Sequence, residues 1–254
     1  MYVHVPRFTI DLEEHERDRW REVIQADRAV VAALVEEVEG SIEYLSDIVR
    51  IGLSTAMSLG YRTFGGRYER EMRSWAKALD RPVGEVIAAN CSYELSHFFD
   101  NGNPFGCTAG VRCAPRLGTV HVRSMDWPLS GIGKATRIFE FKKGKRKFYS
   151  VGISGFVGVL SGMLPGAYSV TINWAPPNGR PKFNFGPAFL LREVFETCDT
   201  YEEAVKMLRY TKLATPVFFT VCGTRTACVI ERTHQDEAVR RMQRDVITQA
   251  NHHV

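Results

Sequence analysis

Residues 100–111 read Asp100-Asn101-Gly102-Asn103-Pro104-Phe105-Gly106-Cys107-Thr108-Ala109-Gly110-Val111, a dense run of turn formers leading straight into strand-forming residues. A second strand signal, Thr119-Val120-His121-Val122-Arg123, follows Gly118 and ends in Ser124-Met125-Asp126-Trp127-Pro128. Paired as a hairpin, the two strands return Arg123 and Asp126 to the neighbourhood of Cys107. The pattern changes character at this point, so the reading of the fold turns on it.

Upstream, apolar residues recur at helical spacing. Trp20, Val23, Ile24, Val30, Val31, Leu34, Val35 and Val38 form one stripe that stops at Gly40. A second helix is expected over Ile42 to about Leu59, a third through Tyr68, Met72, Trp75 and Leu79, and a fourth from about Asp80 with Pro82 in its first turn. Downstream the period shortens to two, in 119–123, 137–141 and 147–151. Helices return at Pro187–Thr197 and Tyr201–Tyr210, the latter opened by the capping box Thr200-x-x-Glu203. Strands at 216–222 and 227–231 close the readable part. The class is α+β, a helical segment 1–106 followed by a strand-rich segment 107–254.

Charge divides at the same junction. Residues 1–106 carry 12 Lys and Arg against 18 Asp and Glu, net −6, whereas 107–254 carry 21 against 11, net +10, so the two segments attract each other. The one dense basic run, Lys142 to Lys147, is flanked by alternating aromatics and reads as a hairpin turn rather than a nucleic-acid patch. Residues 148–179 hold no Asp, Glu, Lys or Arg, but six glycines and three prolines interrupt them, so buried strands rather than a membrane span are expected. No secretory leader is visible before Asp11, so a cytoplasmic location is expected. Six cysteines without a Cys-x-x-Cys pair argue against a disulfide framework and against a zinc site.

Cys-Thr at a strand start, with Arg123 sixteen and Asp126 nineteen residues on in an Arg-Ser-Met-Asp element, resembles the N-terminal nucleophile hydrolases of the acid ceramidase, N-acylethanolamine acid amidase and choloylglycine hydrolase group. Six further segments match that group in order: PRFTIDL (6–12), NCSYELS (90–96), GFVGVLSGMLPGAYSVTIN (155–173), TYEEAVKML (200–208), TPVFFTVCGT (215–224) and ITQANHH (247–253).

The resemblance implies an αββα sandwich made as a precursor that cuts itself between Gly106 and Cys107, leaving α and β chains that stay associated. It also implies that Asp126 orients the new α-amino group, that Arg123 favours the thiolate, and that Asn251 and the backbone of Asn173 meet the oxyanion. The chemistry follows from an N-terminal cysteine: an α-amine with a reference pKa of ~7.7–8.0 accepts the proton of its own thiol, so one residue is nucleophile and base. Read alone, Arg123 and Asp126 are a surface ion pair, Asn173 a turn residue before Pro176-Pro177, and Asn251 part of a polar terminus.

Phe156, Met163 and Trp174 are candidates for an apolar acyl pocket, with Val157, Leu160 and Leu164 nearby. Trp174 stands where relatives carry an acid. The family continues beyond the asparagine matched by Asn251, so an incomplete C-terminus is expected. The expected function is a cysteine amidase acting on linear carbon–nitrogen bonds of small N-acyl amides, with no cofactor, metal, nucleic-acid or transmembrane requirement. The alternatives are a non-catalytic lipid- or amide-binding protein and an acyltransferase using the same thioester.

Overall fold

The computed structural model describes residues 4–40, 66–97, 106–114, 118–127, 129–180, 182 and 184–254. The expected helix over 42–59 and the turn run 100–105 lie outside them. The chain divides into two compact units: Met1–Ser92 with Leu129–Lys147 and Val151–Val157, and Tyr93–Pro128 with Phe148–Ser150 and Gly158–Val254. This division is one of packing, and residues 93–97 fall with the second unit.

In the first unit, β1 (Arg7–Asp11) runs parallel to β4 (Thr136–Lys143), with Phe8 opposite Phe139 and Ile10 opposite Phe141. Against them lie α1 (Arg21–Gly40), α2 (Glu69–Leu79) and α3 (Val83–Asn90). Trp20 is fully buried and meets Phe139 and Phe141 edge-on at 5.3 and 6.1 Å. Its Nε1 donates to Glu71 Oε2 at 2.6 Å, so the one polar atom of the indole is satisfied inside the core. Arg137 forks onto Asp27 through Nε at 2.8 Å and Nη2 at 2.6 Å, and the Ser154 hydroxyl donates to the same carboxylate. Asp80, expected to open a helix, instead ends α2 in the left-handed region at φ 55°, and Pro82 caps α3. The basic run is a turn, with Gly144 at φ +57° between β4 and β5 (Arg146–Ile153).

The second unit opens with α4 (Ser92–Leu95), then β2 (Gly106–Ala114) and β3 (Gly118–Asp126). After the short α5 (Ile132–Ala135) of the first unit, it continues with β6 (Ser161–Leu164), β7 (Tyr168–Trp174), α6 (Pro187–Thr197), α7 (Tyr201–Tyr210), β8 (Val217–Gly223), β9 (Ala227–Arg232), β10 (Glu237–Arg241) and β11 (Val246–Gln249). Residues 149–150 of β5 pair with β6, and β6 to β10 continue antiparallel in chain order. A smaller sheet has the order β11-β2-β3.

The small sheet packs on one face of β7–β9 and α6 and α7 on the other. Between the sheets lie Val111, Cys222, Ala227, Val229 and Ile247. On the helical face Phe195 stacks between Phe148 and Tyr168, 5.4 Å from each. A Cβ at Gly162 would stand 2.5 Å from the Phe195 ring, so glycine is required for that approach. Both helices end where the sequence reading put them, and the Thr200–Glu203 box is formed. No helix among the described residues is long and apolar enough to cross a membrane.

Candidate active site

Hairpin register builds the site. Gly106 faces Asp126, Cys107 faces Met125 and Ala109 faces Arg123 across the antiparallel pair. Alternation sends His121, Arg123 and Met125 inward, toward β7, and their neighbours outward. Arg123 Nη2 lies 3.8 Å from Cys107 Sγ and donates to the Ile172 carbonyl at 2.9 Å, which fixes the guanidinium between the two sheets. Burial lowers the pKa of this guanidinium, while Cys107 and Asp126 beside it push the other way. Its Nε is buried with no hydrogen-bond partner among the described residues. Cys107 itself is only 7% exposed.

The Cys107 backbone N–H donates to Asn251 Oδ1 at 2.6 Å, and Asn251 Nδ2 donates to the Trp174 carbonyl at 2.7 Å. This fixes the orientation of the amide, because an N–H needs an oxygen and a carbonyl needs a donor. The resemblance has Asn251 meet the oxyanion; in this structure its oxygen accepts from the Cys107 nitrogen. Asn173 is fully buried and donates from Nδ2 to the carbonyls of Gln249 and Ala250, at 3.0 and 3.2 Å. Its Oδ1 has no partner among the described residues. The Asp126 carboxyl lies over Gly106, where a Cβ would stand 3.2 Å from Oδ2.

The pocket candidates separate. Trp174 is 4% exposed and, one residue on from Asn173 along β7, projects from the opposite face of the sheet. There it lies 5.3 Å from the His97 ring and donates from Nε1 to Ser96 Oγ at 3.2 Å. Met163, opposite Ser169, is half exposed. Phe156 is buried in the first unit.

Several groups near these residues were not singled out as site residues from the sequence. His121 Nδ1 is 2.9 Å from Ser169 Oγ and Nε2 3.2 Å from Thr171 Oγ1; burial, reinforced by Arg123, pushes its pKa down to about 4. Its period-two position beside Arg123 was the only hint. The Tyr93 hydroxyl donates to the Pro216 carbonyl at 2.9 Å, and His97 Nε2 lies 3.1 Å from the Ala175 carbonyl. Glu94 has both carboxyl oxygens buried without a partner among the described residues, and burial raises its pKa to about 7.

No family model matches the chain. Acid ceramidase of Heterocephalus glaber is 26% identical over 267 residues, and that of Homo sapiens 27%; each alignment covers 91% of this chain and 64% of the relative. An N-acylethanolamine-hydrolyzing acid amidase of Caenorhabditis elegans is 28% identical over 232 residues, covering 86% of this chain and 64% of the relative. The chain thus spans just under two thirds of the length of these relatives. The solved structure of a Caenorhabditis elegans ortholog of that amidase superposes with a TM-score of 0.54 at 23% identity, over 58% of this chain and 71% of that one. Over most of its length the chain is thus similar to proteins named acid ceramidase and N-acylethanolamine-hydrolyzing acid amidase, and over the superposed part it has the fold of the solved amidase, that of the N-terminal nucleophile hydrolases.

Proposed function

We propose that the chain is a self-processing cysteine amidase that hydrolyses linear amide bonds of N-acyl amides through a thioester on Cys107. The observation that carries this reading is the placement of Arg123 Nη2 3.8 Å from Cys107 Sγ while the Cys107 nitrogen is held by Asn251. A guanidinium beside a thiol favours the thiolate.

In the precursor, the Cys107 sulfur adds to the Gly106 carbonyl. The Gly106–Cys107 C–N bond breaks, the nitrogen takes a proton, and water hydrolyses the resulting thioester to a Gly106 carboxylate and a free thiol. The freed α-amine then accepts the thiol proton when an amide substrate binds. The thiolate adds to the substrate carbonyl, the amine passes its proton to the leaving nitrogen, and water releases the acid from the second thioester.

Asn251 Oδ1, which already accepts from this nitrogen, orients the amine, with Asp126 supplying negative charge at the same strand end. The second N–H of the Asn251 amide remains for an oxyanion. The unpartnered Asn173 Oδ1 and Arg123 Nε are buried polar groups of the kind that a substrate or the new chain terminus satisfies. The relatives' names point to ceramides and N-acylethanolamines as the amides to try first. The cut pieces stay together because Tyr93 and His97 remain docked on Pro216 and Ala175.

Intact-mass analysis tests the reading. A fragment beginning at Cys107, absent from Cys107→Ala, together with release of free acid from an N-acyl amide supports it. An uncut, inactive wild-type chain, or normal cleavage in Cys107→Ala, refutes it.

A further inference from the structure

We propose that Glu231 is a positioning residue of this site, acting through the segment that carries Asn251. The inference rests on the reading of Cys107 as the nucleophile. Asn173, Phe218 and Glu231 are direct neighbours across β7, β8 and β9, so their side chains leave the same face of the sheet in one row. Each of the three holds the 249–253 segment. Asn173 donates to the Gln249 and Ala250 carbonyls, Phe218 takes the His253 ring edge-on at 4.9 Å, and Glu231 Oε2 accepts from His253 Nδ1 at 2.8 Å.

Glu231 is 6% exposed, and its other oxygen accepts from Arg240 Nε on β10 at 3.1 Å. The same guanidinium donates to the Thr248 carbonyl at 3.1 Å and to Gln249 Oε1. Gln249 in turn donates to the His252 carbonyl at 2.8 Å. One buried carboxylate therefore organises a cation on the edge strand and an imidazole beyond Asn251, and the residue clamped between them is the one that holds the Cys107 nitrogen. The row of three fixes the backbone of this segment, and the hydrogen bond to the Glu231 carboxylate is the charge-assisted one among them.

The sequence held no sign of this. His253 closes the matched segment 247–253, but Glu231 lies across the β10–β11 excursion from it and nothing in the spacing pairs the two.

Amide hydrogen exchange in the uncut Cys107→Ala protein tests the positioning without reference to activity. Glu231→Gln and, separately, His253→Ala are expected to speed exchange about tenfold in peptides covering 106–112 and 246–254, the loss of one charge-assisted bond being of that order. They are expected to leave α6 and α7 unchanged. In the cleaving chain, Glu231→Gln is expected to lower kcat with KM unchanged, Glu231→Asp to lower it less, and Glu231→Gln to cost nothing more once Asn251→Ala is present. Unchanged exchange in both variants, or a Glu231→Gln loss that adds in full to that of Asn251→Ala, overturns the proposal. Altered exchange in a chain whose wild type never cuts sustains the positioning and refutes the amidase instead. His253 lies half exposed at the surface, so His253→Ala reports even if Glu231→Gln disturbs folding.

Discussion

Arg123 and Cys107 are not cross-strand partners, since Arg123 faces Ala109 and Cys107 faces Met125, yet the guanidinium of one reaches to 3.8 Å from the sulfur of the other along the inner face of the hairpin. The Ile172 carbonyl holds the far side of the same nitrogen. A guanidinium whose terminal nitrogen is held between a carbonyl and a sulfur in a buried gap has few alternative positions, which makes substitutions there informative.

Arg123→Lys is expected to lower hydrolysis by about 10- to 100-fold and precursor cleavage less. Lysine keeps the charge but lacks the planar, delocalised group that places Nη2 between the Ile172 carbonyl and Cys107 Sγ. Asp126→Asn, beside Gly106, is expected to slow both steps alike. Rates of fragment formation and of acid release, taken with thermal melts, separate the two; a wild-type rate in either folded variant removes that residue from the proposed chemistry.

Iodoacetamide is expected to label Cys107 first, and only after cleavage. At 7% exposure the sulfur of the intact chain is covered. Burial pushes the Cys222 and Cys228 thiols up in pKa and so away from the reactive thiolate. The competitor is Cys113, which is partly exposed. Peptide mapping against loss of activity decides, and inactivation tracking Cys113 would contradict the assignment.

His121 gives the fold an acid limit. Its folded pKa of about 4 lies below the reference value of 6.5, so the unfolded chain binds the proton more readily. Stability is full above pH 6.5 and falls as pH drops through 4, by about 3 kcal/mol from this one group. His121→Gln, which still bonds Ser169 and Thr171, is expected to flatten the denaturation profile over that window. A profile identical to wild type would place the acid sensitivity elsewhere.

Glu94 acts in the opposite sense. Its folded pKa of about 7 lies above the model-compound value of 4.5, so the folded chain binds the proton more readily, and stability is lost as pH rises from 4.5 to 7. Glu94→Gln is expected to raise stability at pH 8 by on the order of 2 kcal/mol and to change it little at pH 4, as read by chemical denaturation. An equal effect at both pH values would mean that packing, not charge, governs the site.

Helices α6 and α7, the hairpin of β2 and β3, and strands β4, β5, β7, β8 and β9 were legible in the sequence, because capping residues, turn glycines and alternation are local signals carried by a few adjacent side chains. The return of Arg123 and Asp126 to the end of the hairpin that carries Cys107 was legible for the same reason, since hairpin register follows from residue spacing. Strand β1 was not, because its parallel partner lies more than a hundred residues away. Strands β10 and β11 were not, because edge strands rich in Arg, Glu and Gln lack a buried face to impose alternation. The opposite facing of Asn173 and Trp174 follows from strand geometry, but the face that meets the small sheet does not. The turning of the Asn251 oxygen toward Cys107 was decided only when two sheets stacked and set residue 251 against 107, 249 and 250 against 173, and 253 against 231. Distance in the chain is long there and distance in space is short, and no local pattern of side chains encodes that difference.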